Sequence, residues 1–395
     1  MNRLTKITLL IPISLCLVLT LTSCVTHRDI EHMNIVLGAA FDYNPDTELY
    51  QVHVQVPKTQ AFAKGEGAQG NEESYVIFHG KGETLFLAIR DMAKNGMVFF
   101  WGHCENYVIS NRLAGHGIYE CIDFLIRDAE IRGEAYLLVS SVPLEELLSL
   151  PRGSQNVPMM AITPILEEGL NVYGKGIKVQ IDDVFNNLLY EESSHLISLL
   201  DVTLSDYQAK EETDKFNVSG AAVFKDDTMI GSLSPTETRG YNFITNQIKN
   251  TLINIEFRGG RLVIENTNSS VNVTVTENGN VGLLVEVKPR GNIGQFNKPL
   301  NLENPNVIEE IENIYAAAIK REVESTIERA QILQADFLGF GREVEIANPE
   351  LWAEFKKRWQ QEIFPEIEIT VTVKPTVVHT GLAITTVPEE KYAQY

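Results

Sequence analysis

The most apolar stretch of the chain comes first. After Arg3 and Lys6, residues 7–21 carry no charge. At ~1.5 Å per residue that run makes about 22 Å of helix, short of a ~30 Å hydrocarbon core, and Pro12 weakens it further. Beyond it, apolar positions recur at strand and helix spacings. Residues 35–41 and 50–56 read as strands, with Val52, Val54 and Val56 alternating with Gln51, His53 and Gln55. Gly65-Glu66-Gly67-Ala68-Gln69-Gly70 matches the letters of a dinucleotide fingerprint, but a strand at 75–78 follows instead of a helix, so it reads as a hairpin loop. Leu85, Ala88, Ile89 and Met92 predict a helix. Residues 97–101 and 107–109 predict strands. Leu113, Ile118, Ile122, Leu125 and Ile126 predict a second helix closing at Arg127-Asp128. A strand at 134–140 and a short helix at 144–150 come next. Residues 151–201 read as mainly helical, interrupted by Pro158 and Pro164.

A polar, acidic passage at 201–215 marks a boundary. Strands at 218–224, 228–233, 252–257, 261–264, 271–276 and 281–287 follow, with turns at Gly259-Gly260 and Asn278-Gly279, and much of this part reads as an antiparallel meander. Asn304-Pro305 then starts a long helix whose apolar face is Ile308, Ile311, Tyr315, Ile319, Val323, Ile327, Ala330 and Leu333, stopped at Gly339-Phe340-Gly341. A shorter helix from Asn348-Pro349 carries Trp352, Phe355 and Trp359, an aromatic stripe that reads as core. Strands at 366–373 and 377–384 close the chain. Strands and helices interleave without strict alternation, which predicts an α+β fold of three domains, each a mixed or antiparallel sheet packed by helices. The expected division is a signal peptide at 1–23, an N-terminal α+β domain at 24–205, a β-rich middle domain at 206–295 and a C-terminal α+β domain at 296–395.

The leader's basic start, apolar middle and Leu21-Thr22-Ser23-Cys24 end have the form of a bacterial lipoprotein processing site. On that reading Cys24 takes a diacylglyceryl thioether and begins the mature protein. The alternatives are an ordinary signal peptide with an incidental cysteine, or an uncleaved anchor. The net charge is −20, and −22 without the two leader cations. Such a surface repels nucleic acid and anionic headgroups alike, which leaves acyl chains to hold the membrane. With Cys16 in the leader and Cys24 acylated, Cys104 and Cys121 remain, as buried thiols or as a disulfide. His103, Cys104, His116 and Cys121 have no zinc-site spacing. No nucleophile elbow, metalloprotease His pair, phosphate loop or calcium loop occurs. No catalytic, metal-binding or cofactor-binding residue is therefore assigned. Lipidation at Cys24 is the one site.

Four blocks in order carry a family resemblance. The first is Cys24 followed by Arg28-Asp29-Ile30-Glu31 and a strand ending Phe41-Asp42. The second is Phe99-Phe100-Trp101-Gly102-His103, Tyr107-Val108-Ile109-Ser110, Leu113-Ala114 and the ten residues from Asp123 through Arg132. The third is Ser219-Gly220-Ala221-Ala222-Val223-Phe224-Lys225, with Gly231-Ser232-Leu233 and Glu237-Thr238-Arg239-Gly240. The last is Asp336-Phe337-Leu338-Gly339-Phe340-Gly341, Trp352, Trp359 and Thr380-Gly381. Together they resemble the Ger(x)C family, the C-subunit lipoproteins of bacterial spore nutrient-germinant receptors. Two positions depart from the family pattern. Val25-Thr26 stands where Trp-Asp is usual, and Asn111-Arg112 where Gly-Glu is usual; the second departure touches a local contact or a partner surface.

The resemblance implies a non-enzymatic, three-domain subunit on the outer face of the spore inner membrane. It also implies a complex with A-type and B-type integral-membrane subunits, the B type resembling amino-acid transporters. Cys24 alone transfers with a chemical role. Arg127, Asp128, Glu237, Arg239 and Asp336 are expected to fix turns and helix ends. A free-standing solute-binding lipoprotein, marked by a cleft with converging polar groups, is the second reading. An exported hydrolase is the third.

Overall fold

Adjacent residues buried on opposite faces mark the centre of the first sheet. Ala40, Val108 and Leu138 belong to one apolar cluster, while their neighbours Ala39, Tyr107 and Leu137 belong to another. Strands covered on both sides need near-continuous apolar runs, which is how parallel strands under two helical layers read. A computed structural model describes residues 33–58, 74–149, 157–190, 193–203, 215–276, 281–298 and 302–379. The leader, Cys24, the glycine-rich loop at 65–70, the Asn278-Gly279 turn and Thr380-Gly381 lie outside the described residues.

The first part runs β1 (Met33–Ile35), β2 (Gly38–Asn44), β3 (Leu49–Pro57), β4 (Tyr75–Gly82), α1 (Leu85–Ala93), β5 (Val98–Phe100), β6 (Asn106–Ser110), α2 (Asn111–His116), α3 (Tyr119–Arg127), β7 (Tyr136–Ser140) and α4 (Leu144–Leu148). A continuous helical run at 158–173, here α5, is followed by α6 (Ile181–Leu188), β8 (Ser194–Thr203), β9 (Lys215–Lys225), β10 (Thr228–Leu233) and α7 (Pro235–Ile244). Eight strands form one mixed sheet in the order β10-β9-β8-β7-β6-β2-β3-β4. Its middle pairings, β2 with β6, β6 with β7 and β7 with β8, are parallel; those toward each edge are antiparallel. β1 and β5 pair separately, in parallel. Leu144, Met159, Ile162 and Leu166 cover one face of the large sheet, and Leu85, Ile122, Leu125 and Val184 the other.

The second part runs β11 (Thr251–Phe257), β12 (Gly260–Thr276), β13 (Gly282–Phe296), α8 (Pro305–Ile332), α9 (Phe340–Ala347), α10 (Pro349–Phe355), β14 (Glu368–Val373) and β15 (Thr376–His379). The sheet order is β11-β12-β13-β14, and β15 also pairs with β13. The 28-residue helix α8 lies across this sheet with Ile311, Tyr315, Ile319 and Val323 fully buried. Tyr315 donates its hydroxyl to Asn266 Oδ1 at 2.7 Å. The far end of α8 reaches the first sheet: Arg329 donates to the Ser232 carbonyl at 3.1 Å, and Lys225 to the Gln334 carbonyl at 3.4 Å. No helix among the described residues is long and apolar enough to cross a membrane.

The architecture is mixed α/β with several sheets and helices, as the interleaved pattern predicts, and five local readings change. The single helix expected over Leu113–Ile126 is two, α2 and α3, because Gly117 adopts φ +128° and its N–H closes α2 on Leu113. Residues 194–201, at the end of the stretch read as mainly helical, belong to β8 (Ser194–Thr203). Their unbroken apolar run does not distinguish a buried strand from a helix. The strands expected at 261–264 and 271–276 are one strand, β12, with register shifts after Val263 and Asn266. The long helix ends at Ile332, ahead of Gly339, which instead opens α9 in a left-handed conformation (φ +77°). The strands at 218–224 and 228–233, grouped by sequence with the meander, extend the first sheet as β9 and β10. That sheet therefore spans the division expected at 205/206.

Candidate interaction surface

Thr84 caps α1 by accepting the Leu87 N–H at 3.2 Å. The helix then turns Leu85, Ala88 and Met92 onto the sheet. That orientation leaves Phe86 and Leu87 52% and 49% exposed. Next to α1, helix α3 buries Cys121, Ile122 and Leu125, which puts Tyr119 outward at 60% exposure. Leu85, Phe86, Tyr119 and Phe124 form the apolar lining of a cleft of about 530 Å³ between the two helices. Contiguous exposed aromatic surface of this kind marks docking sites. The rim is acidic. Asp123 is paired with Arg127 at 2.8 Å, which lowers the carboxyl's pKa and raises the guanidinium's. Glu120 and Asp128 have no ion-pair partner among the described residues, and the Arg90 guanidinium stands 4.9 Å over the Phe86 ring. The cleft thus offers an apolar floor and a rim of negative charge. None of its lining residues was singled out from sequence as a surface; the usable signal was Phe86-Leu87 on the side of α1 opposite its core face.

The polar residues of the family blocks separate into two kinds. Glu237 closes a capping box on α7, accepting the Ser234 N–H at 2.6 Å while Ser234 Oγ accepts the Glu237 N–H at 3.2 Å. Asp336 accepts N–H groups from Phe340 at 3.0 Å and Gly341 at 2.7 Å, and the Trp359 indole N–H at 2.8 Å. Burial nevertheless pushes its pKa up. Asp128 accepts the Glu130 N–H at 2.9 Å and shapes the turn after α3. Arg239 is different. It is 8% exposed and joins α7 to α8 through a two-point ion pair with Glu322, adding a bond to the Leu252 carbonyl at 3.2 Å.

Arg112, one of the two departures from the family pattern, makes an ion pair with buried Asp42, which also accepts from Ser110 Oγ. The departure is thus taken up in a local contact. Cys104 and Cys121 are free, buried thiols, and burial pushes the Cys104 pKa up to about 12. His103 packs edge-on against Phe100, and His116 stacks on Tyr43 at 3.7 Å. Among the described residues no group of three or more His, Cys, Asp or Glu is placed to hold a metal ion. Trp359 is 2% exposed, against Trp352 and Phe364 with ring centroids at 5.5 and 5.9 Å; Trp352 and Phe355 are half-buried. The one assigned site, Cys24, lies outside the described residues.

Two family models match the sequence: a spore germination protein N-terminal domain over residues 26–202, and the C-terminal part of the spore germination B3/GerAC-like proteins over residues 219–381. Spore germination protein KC of Bacillus subtilis (strain 168) is 25% identical over 391 residues, covering 95% of this chain and 96% of that protein. Spore germination protein A3 of the same organism is 23% identical, covering 92% and 95%. Spore germination protein GerQC of Bacillus cereus is 20% identical, covering 89% and 95%. The crystal structure of the GerBC protein superposes with a TM-score of 0.57 at 18% identity, covering 89% of this chain and 100% of that one. That likeness shows a shared fold.

Proposed function

Because this chain belongs to the Ger(x)C family of GerAC-like spore germination proteins, we propose that it is a non-enzymatic subunit of a nutrient germinant receptor complex. The observation that carries the reading is coverage. The two family models lie end to end over nearly all of the chain after Cys24, and the spore germination relatives align over most of their own lengths. In this proposal diacylglyceryl Cys24 anchors the chain to the outer face of the spore inner membrane, beside A-type and B-type integral-membrane subunits. Met33, where β1 begins, lies nine positions after Cys24. At ~3.6 Å per residue the tether holds β1 within about 32 Å of the anchor.

The cleft between α1 and α3 is the proposed docking site. Its apolar floor and its Glu120 and Asp128, neither in an ion pair among the described residues, suit a basic, apolar segment of a membrane-embedded partner. The test is co-purification of the tagged chain from detergent-solubilised spore membranes. The parent brings down both integral-membrane subunits. Phe86→Glu with Tyr119→Glu melts like the parent and loses them, since both positions are exposed. Full recovery of the partners with that variant rejects the cleft as the docking site. Cys24→Ala leaves the melting temperature unchanged and releases the partner-free chain from membranes. Retention after a high-salt wash rejects the anchor.

A further inference from the structure

His53 on β3 and His79 on β4 are register partners, and their Nδ1 atoms stand 2.6 Å apart. Two ring nitrogens hold that distance only with one proton between them, a donor facing an acceptor. The surroundings decide which ring donates. His53 is 5% exposed and its Nε2 has no hydrogen-bond partner among the described residues, whereas His79 is exposed. A proton on His53 Nε2 would be a buried donor without an acceptor, which folded proteins avoid. The proton therefore belongs on His53 Nδ1, which donates to His79 Nδ1, and the Nε2–H of His79 is left to solvent.

The residues just after His79 carry α1. A Cβ on Gly80 would stand 2.0 Å from the Ala88 carbonyl oxygen, and one on Gly82 2.6 Å from the Ala88 nitrogen, so helix and strand meet backbone to backbone. Between the two glycines, the Lys81 N–H donates to Asp91 Oδ2 at 3.3 Å. β4 is an edge strand, and β3 is its one neighbour in the sheet. Whatever loosens β4 from β3 therefore moves α1 as well, because so close a contact has no slack to absorb the shift.

Glu145 of α4 and Lys81 of β4 act on both rings, and Asp42 of β2 acts on His53. Asp42 is already held by Arg112, which leaves Glu145 as the carboxylate that favours a charged ring. Partial burial lowers the pKa of His79 from 6.5, with Glu145 opposing and Lys81 assisting. His79 is the ring that solvent reaches, and its free nitrogen is the atom that accepts the bond. A proton added there sets two donors face to face, or drives the His53 proton onto Nε2, where it has no acceptor.

We propose that the His53–His79 contact is an acid-released latch, which holds β4 and the helix α1 upon it in place against β3. At neutral pH the latch is closed; as the pH falls below the ordinary imidazole range it opens. Helix α1 forms one wall of the proposed docking cleft, but the latch does not depend on what docks there.

The test is amide hydrogen exchange of the full chain in detergent at about pH 7.5 and about pH 5, corrected for the intrinsic pH dependence of exchange. Protection across residues 75–93 falls about tenfold or more at the lower pH, while protection in β6 and β7 holds within about twofold. In His79→Asn, whose Oδ1 accepts the His53 N–H but takes no proton, protection at 75–93 keeps its neutral value in acid. Glu145→Gln, at an exposed position, moves the loss to lower pH, and serves as the reading if His79→Asn does not fold. Equal loss in every strand, as protonation of buried His195 alone would give, overturns the proposal. So does an unchanged acid loss in His79→Asn, or an unmoved one in Glu145→Gln.

Discussion

His195 on β8 is 5% exposed, stacked on Phe224 at 5.3 Å, with no hydrogen-bond partner for either ring nitrogen. Burial alone lowers its pKa from 6.5 to about 4. Between those values the unfolded chain binds the proton and the folded chain does not, so stability falls as the pH drops. The contribution, about 3 kcal/mol, is fully present above the unfolded pKa and lost as the pH falls to the folded one. His53, lowered to about 4 by burial and then by His79, acts with the same sign. His195→Phe is expected to raise the melting temperature at pH 5 and flatten its acid dependence; a variant that keeps the parent's pH profile refutes this. Trp359 is the second residue-scale case. Trp359→Ala should cost about 3–5 kcal/mol by chemical denaturation. Trp359→Phe should cost less but measurably, because buried Asp336 loses a donor. A cost near zero for the alanine variant would mean the ring is not core. The aromatic stripe was legible because three large rings at helical spacing need a core. His195 was not, because nothing in a continuous apolar run says which face a histidine will meet.

Helix α8 was legible almost residue by residue, since 28 residues of one-sided apolar spacing admit few other readings. What its pattern hid is Glu322, a charge on the buried side, 9% exposed and paired with Arg239 of α7. Its partner is 83 residues away, and sequence alone carries no trace of so distant a pairing. Removing either member leaves the other charge buried. Arg239→Met and Glu322→Leu should each cost about 3–5 kcal/mol, while the double variant costs distinctly less than their sum. Additive losses in that cycle would show that the two groups act independently. Helix α7 itself was readable from Ser234-Pro235-Thr236-Glu237, a capping box with proline at the first helical position, yet its short apolar pattern drew no assignment. The proposed docking cleft was hidden for a related reason: it exists only where α1 and α3 meet.

At the scale of the whole molecule, the class of fold was legible from interleaved elements, and the partition of strands between sheets was not. β8 is a neighbour of β7 on one side and of β9 on the other, across the acidic passage that read as a boundary. A fragment ending at residue 205 would leave β8 as an uncovered edge. It is expected to aggregate or show poor amide dispersion, whereas the full chain does not; a well-dispersed, monomeric fragment refutes this. The same topology has a consequence in time. Ala39 pairs with Tyr107 and Gly282 with Glu368, so the chain must close loops of roughly 70 and 90 residues before β2 gains β6 and β13 gains β14. The entropy of closing such loops comes before the contacts that reward it, and chains dominated by non-local pairing fold in about milliseconds to seconds. Stopped-flow refolding should therefore show no submillisecond recovery of native fluorescence. Under the proposed anchoring at Cys24, a chain emerging across a membrane would wait beside the bilayer, partly made, until β14 arrives.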